Sequence, residues 1–405
     1  MIKKVNSFYR IVPEKRHARR SKGRGYYMSG IFDRLRRSKD HISLDWIQIE
    51  VTSLCEASCL YCPHTAYRKQ WLHGSMSLDT FQTIAAEFHM AKLIYLQGWG
   101  EPFSNENLFQ MIEIAKRSGR KVGLTTNGMA LDSETLDHLI DLRLDILAVS
   151  LAGTTPAIHN RLRARTDFNQ ITDSLFLLKK KKTTKNSRLP QLHLAYIMLR
   201  SNFGDLAEII PYARKVGSEN IVCSNLAFLP ESDLQKEAIF LDQSNRKYYE
   251  DILNAVKASS VKNNVNFHSA GSSLEKPLPI CPENILRSCY ISHDGFVSSC
   301  VFTNIPLSNR LESDEAKGKR LSFPERITYG NIGRQPLSEI WYSAAYESFR
   351  KTFEERQKNM IGSIDAMVDA ALPPLIETNA SGKRNEPLLE RLPSQCRTCY
   401  KMYGV

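Results

Sequence analysis

The chain has 405 residues, 42% hydrophobic and 24% charged, with a formal net charge of +12. That length predicts roughly two to three domains and a large buried core, and no run approaches the roughly 18 apolar residues of a membrane span. Nine cysteines, an odd number with no apolar leader behind Met1, exclude a disulfide framework and predict a reducing cytoplasm, where clustered thiols serve as metal ligands.

Residues 1–45 read as a basic arm. Positions 1–40 hold thirteen Lys or Arg against Glu14, Asp33 and Asp40, so the rest of the chain is nearly neutral. The run Lys15-Arg16-His17-Ala18-Arg19-Arg20 could contact RNA, an anionic membrane or an acidic protein; a solvated tail is the favoured reading over a nucleic-acid role. A second basic run, Lys179 to Lys182 with Lys185 and Arg188, reads as a solvated loop between a helix and a strand.

Past residue 45 short apolar runs alternate with amphipathic segments. Strands are predicted at 46–52, 93–96, 122–125, 146–150, 192–199 and 220–226, and helices at 77–90, 107–118, 133–142, 168–180 and 204–216. Ser77 and Ser133 open two of the helices and Gly119 ends another. Strand–helix alternation specifies a parallel α/β sheet, curled by right-handed crossovers into a partial (β/α)6 TIM-like barrel over 46–260. A doubly wound sheet would need a phosphate-binding glycine loop after its first strand. Three cysteines stand there instead.

Those three, Cys55, Cys59 and Cys62, have C-x3-C-x2-C spacing directly after the first apolar run. Three thiolates on one loop hold three corners of a cubane iron–sulfur cluster and leave one iron open, whereas structural zinc takes four ligands. The motif resembles that of the radical S-adenosylmethionine superfamily, including the aromatic Tyr61 before the third cysteine. The resemblance implies that Gly98-Trp99-Gly100-Glu101-Pro102, after the second strand, accepts a hydrogen bond from the methionine ammonium group, close glycines letting the backbone approach the ligand. It also implies that Asn127, in Thr125-Thr126-Asn127-Gly128, lines the cavity, that Ser150 contacts the ribose, and that Arg163 pairs with the S-adenosylmethionine carboxylate. Ala152 stands where many relatives carry an aspartate. Arg161 and Arg165, read as sharing one helix with Arg163, compete for the carboxylate.

The C-terminal region, 261–405, holds Cys281, Cys289, Cys300, Cys396 and Cys399. Thirteen residues separate Cys281 from Gly295 and four separate Gly295 from Cys300, which resembles the first half of a SPASM domain. Tyr329-Gly330-Asn331-Ile332 and Leu337-Ser338-Glu339-Ile340-Trp341 resemble its continuation. With no cysteine after Cys399, the resemblance implies a small, truncated domain with one auxiliary 4Fe-4S cluster on Cys281, Cys300, Cys396 and Cys399; zinc on the same thiols is the alternative. Cys289 and Cys223 read as buried apolar residues. Residues near 360–392 read as a helical insertion before the last cysteine pair.

The resemblance therefore implies a cytoplasmic enzyme that reductively cleaves S-adenosylmethionine at a 4Fe-4S cluster to a 5'-deoxyadenosyl radical and abstracts a substrate hydrogen. By its glycine loop and Ser150-Leu151-Ala152-Gly153 it is similar to members described as tungsten-enzyme cofactor-modifying or peptide-maturing. Expected partners are a small electron donor such as ferredoxin or flavodoxin and a peptide, protein or cofactor-precursor substrate. An RNA-modifying radical enzyme and a non-catalytic metal-bound scaffold are the alternatives.

Overall fold

A computed structural model of the protein describes residues 44–227, 229, 232–274, 277–308, 326–370 and 392–405. The basic arm through position 43 and most of the expected insertion, 371–391, lie outside the described residues.

Ten strands form one sheet. They are β1 (Leu44–Ile49), β2 (Ala91–Leu96), β3 (Lys121–Thr126), β4 (Ile146–Leu151), β5 (Gln191–Ile197), β6 (Asn220–Ser224), β7 (Asn266–Ser269), β8 (Ser288–Ile291), β9 (Phe296–Ser298) and β10 (Gly330–Asn331). Their spatial order is β10-β9-β8-β1-β2-β3-β4-β5-β6-β7, with β8 through β7 parallel and the β8-β9-β10 edge antiparallel. Six expected strands are thus joined by two more parallel ones. Asn266–Ser269 is polar and short, and Ser288–Ile291 is short and sits among cysteines, so neither carries the apolar run that marks the others. The antiparallel edge turns at Gly295, whose φ of +82° is one that L side chains rarely adopt.

Side-chain alternation gives the sheet two different faces. Ile47, Ile94, Leu124, Leu147, Val149, Leu194 and Ile221 are fully buried on one face. They pack with the helices Leu78–Ala85, Leu108–Arg117, Ser133–Asp141, Phe168–Thr184 and Ile209–Val216 in one continuous core. Burial of each such side chain contributes about 1.5–3 kcal/mol. The other face lines the barrel interior. Trp46, Leu93, Tyr95 and Ile146 cluster there, and the next lining positions, Gln48, Thr125, Ser150, His193 and Ser224, are polar.

Three local expectations change. Asp132 rather than Ser133 caps its helix, its carboxylate accepting from the Thr135 N–H at 2.8 Å. The segment 204–216 is a 3-10 stretch, Arg200–Glu208, followed by an α-helix from Ile209, because Pro211 lacks an N–H and is tolerated only in a helix's first turn. Lys179 to Lys182 of the second basic run are helical, inside Phe168–Thr184, while Lys185 and Arg188 follow the helix's end; Lys181 pairs with Asp137 at 2.5 Å and Lys185 with Asp141 at 2.8 Å. Acids on the packed helix Ser133–Asp141 let the helical pattern run into lysines that look loop-like alone.

Candidate functional site: two thiol groups around one cavity

Glu50 to Leu54 carry the chain from β1 into the cysteine loop. Cys59 is buried, Cys55 and Cys62 are half-buried, and all three are free thiols. Pro63 opens the short helix Pro63–Ala66 directly after Cys62, fixing the loop's exit. Ser58–Cys59 pairs antiparallel with Arg163–Ala164, Cys59 opposite Arg163. Arg163 is therefore not on a helix as expected. The helix ends at Leu162, and Arg163 sits extended beside the thiols. Arg161 stays exposed and donates to the Ser201 carbonyl at 3.3 Å, while Arg165 is exposed in a left-handed conformation. Of the three arginines only Arg163 is buried. Its Nη1 donates to the Tyr61 hydroxyl at 2.5 Å, and its Nε, buried, has no hydrogen-bond partner in the structure.

The glycine loop packs on this segment. A Cβ at Gly100 would strike the backbone of Thr52 to Leu54, and one at Gly98 would strike the Glu50 side chain. Close backbone packing against the cysteine loop, rather than approach to a ligand alone, thus demands both glycines. Glu101 N–H donates to the Leu54 carbonyl at 2.7 Å. The Glu101 carboxylate accepts from Thr126 Oγ1 at 2.7 Å and from the Asn127 N–H at 2.6 Å, tying the second strand's loop to the third strand's end. Burial raises its pKa, and those two bonds oppose the rise.

The loop has a second anchor that the sequence reading missed. Glu50, 0% exposed, accepts from the Trp99 N–H at 2.8 Å, from His293 Nδ1 at 2.9 Å and from the His293 N–H at 3.3 Å. The only sequence signal was an acid closing an otherwise apolar strand. Trp99 also donates its indole N–H to the Asn304 carbonyl at 3.2 Å and meets the Phe302 ring edge-on at 5.9 Å. Glu50 and Trp99 thereby couple the glycine loop to the segment following Cys300.

Ser150, next to last in β4, faces the barrel interior in a cavity of about 260 Å³ that Tyr61, Arg163, Tyr95 and His193 also line. Burial lowers His193 to about 4, so it is neutral at pH 7. The far wall is C-terminal: Pro282, Glu283, Val301, Phe302 and Lys401. Glu283 and Lys401 each lie two residues from a cysteine and approach to 4.0 Å.

Behind that wall, Cys281, Cys300, Cys396 and Cys399 line a second cavity of about 520 Å³ that shares Glu283, Phe302 and Lys401 with the first. Cys289 is elsewhere, fully buried on β8 opposite Ile47, and Cys223 is buried in the core on β6. Burial drives the thiol pKa values up, to about 11 for Cys55 and about 12 for Cys62 and Cys396. Each of the three also faces neighbouring thiols that raise it further. Such sites favour ligands that disperse thiolate charge.

Among the described residues no three His, Cys, Asp or Glu side chains converge closely enough to hold a single metal ion. Cys281, Cys300, Cys396 and Cys399 together line a volume of about 520 Å³, a donor set and a space that fit a multi-iron cluster. No helix among the described residues is long and apolar enough to cross a membrane.

Comparison with known proteins agrees with this geometry. The Radical SAM superfamily model matches residues 49–190, and the SPASM model, an iron-sulfur cluster-binding domain, matches 281–362. The chain is 25% identical over 321 residues to the tungsten-containing aldehyde ferredoxin oxidoreductase cofactor-modifying protein of Pyrococcus furiosus, covering 76% of this chain and 83% of the relative. It is 24% identical over 311 residues to the PqqA peptide cyclase of Gluconobacter oxydans, covering 75% and 78%. The crystal structure of Streptococcus suis SuiB bound to S-adenosylmethionine superposes with a TM-score of 0.58 at 12% identity, covering 80% of this chain and 74% of that one, and shows the shared fold. The radical SAM domain implies a 4Fe-4S cluster and S-adenosylmethionine, and the SPASM domain implies auxiliary iron–sulfur binding. Residues 49–190 thus carry a Radical SAM domain and residues 281–362 a SPASM domain, on a sheet of parallel strands consistent with a partial TIM-like barrel.

Proposed function

We propose that the protein is a radical S-adenosylmethionine maturase that abstracts a hydrogen atom from a peptide, protein or cofactor-precursor substrate. In this reading residues 46–260 carry the radical chemistry and 261–405 the auxiliary site. The observation that carries it is the buried Arg163–Tyr61 pair, held beside the three-thiol loop by the pairing of Cys59 with Arg163 and lining one cavity with Ser150, with four further thiols lining a neighbouring cavity that shares Glu283, Phe302 and Lys401. A 4Fe-4S cluster with S-adenosylmethionine at its open iron supplies, when bound, one-electron cleavage to methionine and a 5'-deoxyadenosyl radical.

The chain's own residues do the rest. Cys55, Cys59 and Cys62 hold the first cluster, and Cys281, Cys300, Cys396 and Cys399 the auxiliary one. Gly98, Gly100 and Glu101 shape the loop that seats the methionine end, and Arg163 directs its planar guanidinium at the carboxylate. Tyr61, Asn127 and Ser150 border the nucleoside, and the buried cavity excludes water from the reacting carbon. The names of the two curated relatives support the substrate class, and the cavity between the thiol groups supports a substrate held between them.

The test is anaerobic reconstitution, reduction and measurement of 5'-deoxyadenosine, with about eight irons bound per chain. Cys55→Ala/Cys59→Ala/Cys62→Ala should lose about half of the iron and all product. A fully loaded, reduced wild type that forms no 5'-deoxyadenosine with any candidate substrate would instead support a metal-bound scaffold.

A further inference from the structure

We propose that a cationic cleft at the opposite end of the sheet from the three-thiol loop is a docking site for a short acidic segment of another polypeptide. The cleft, about 990 Å³, lies where the helix-to-strand turns enter β4, β5 and β6. Arg143, Lys179, Lys182 and Arg188 line it against one carboxylate, Glu219, an excess of 4 − 1 = 3 positive charges. The three-thiol loop follows the far end of β1, which runs parallel to these strands. β5 alone spans seven residues, about 20 Å. Chemistry in β/α barrels gathers at the C-terminal ends of the strands, so charge collected at their N-terminal ends stands apart from the reaction machinery.

A run of lysines is ordinarily a solvated face, and part of this run is neutralised: Lys181 pairs with Asp137, and Lys185 with Asp137 and Asp141. The cations of the cleft are held differently. Lys179 donates to the Lys215 carbonyl at 3.1 Å and Lys182 to the Pro190 carbonyl at 2.7 Å, contacts that fix both ammonium groups without cancelling their charge. The Lys179 stem lies against Gly217, where a Cβ would come within 3.0 Å of it. Arg143 and Arg188 are exposed and make no hydrogen bond or ion pair among the described residues.

The walls select the ligand. Leu178, Leu192 and Val216 give the cleft an apolar floor, which suits aliphatic side chains spaced between carboxylates. None of its lining residues is Phe, Tyr, Trp or His, so a nucleic acid would find phosphate contacts but no ring on which a base could stack. A recessed cleft also fits an extended chain better than the headgroup plane of an anionic membrane. Guanidinium groups that the fold leaves unpaired take carboxylates bidentately, and a segment with several carboxylates engages both arginines at once.

The test uses the reconstituted full chain and a fluorescent twelve-residue peptide, four repeats of Glu-Asp-Leu, with binding read by anisotropy. Arg143→Glu/Arg188→Glu, at wild-type iron content and urea midpoint, should bind the peptide at least about tenfold more weakly, and wild-type binding should weaken with salt. Arg19→Glu/Arg20→Glu, an equal charge change in the basic arm, should alter binding less than about threefold, and replacing the peptide's leucines with serine should weaken it about threefold or more. A wild type that does not bind, or an arm variant that loses as much as the cleft variant, overturns the proposal. So does an oligouridylate of the same length that binds as tightly and shows the same tenfold loss, because the cleft would then take any polyanion. Should the double Glu variant be destabilised, Arg143→Gln/Arg188→Gln decides: a loss of at least about threefold upholds the site and unchanged binding refutes it. None of these readouts involves 5'-deoxyadenosine, so the docking site and the radical reading stand or fall separately.

Discussion

Replacing Glu50 with Leu should be among the most damaging single changes in the chain. The carboxylate is 0% exposed and is the acceptor for three donors, the Trp99 N–H and the backbone and ring N–H of His293. Each buried donor left without a partner costs about 1–3 kcal/mol. With three donors losing their acceptor together, we expect Glu50→Leu to cost about 3 kcal/mol or more. Glu50→Gln should be milder, because His293 can shift its proton to Nε2 and accept from the new amide. His293→Leu removes one donor and leaves Glu50 two, for about 1.5–3 kcal/mol. The double variant should then fall short of the sum by about 1–3 kcal/mol, since the ring donor is lost only once. Anaerobic urea unfolding of the metal-free chain measures all four values. Additivity of Glu50→Leu and His293→Leu within about 0.5 kcal/mol would show that the carboxylate and imidazole are not coupled, and the bridge between glycine loop and C-terminal segment would be wrong.

Arg163→Lys should retain wild-type iron but weaken S-adenosylmethionine binding about tenfold or more, because an ammonium cannot form the forked carboxylate contact; normal affinity, with Arg161→Lys impaired instead, would refute the placement. Cys399→Ala should lose auxiliary iron while still cleaving S-adenosylmethionine, whereas Cys289→Ser should keep all its iron and lose about 1–3 kcal/mol from burying a hydroxyl on β8, as iron analysis and unfolding would show. The metal-free chain should lose stability with rising pH. Cys55, Cys62 and Cys396 are pushed up to about 11, 12 and 12 when folded, while unfolded thiols ionise near about 8.5. That contribution is complete below about pH 8.5 and is lost as pH rises toward the folded values, so urea midpoints that stay flat from about pH 7.5 to 10 would refute it.

Local pattern by itself determined the six main strands, five helical segments and the three-thiol loop, because apolar periodicity and cysteine spacing are written along the chain. Family resemblance then led to the radical SAM and SPASM assignment. Tertiary structure alone decided what depends on residues far apart meeting. Cys59 pairs with Arg163, which takes that arginine off its expected helix. Glu50 and His293, 243 positions apart, share a proton-donor network that neither neighbourhood announces. Four of five C-terminal cysteines surround one cavity while Cys289 packs against the first strand. The strand at 266–269 was not legible for the same reason: it is short and polar, and it exists because β6 presents an unpaired backbone edge for it to complete. Periodicity reports which face a residue takes, but only the assembled sheet determines which residues that face brings together.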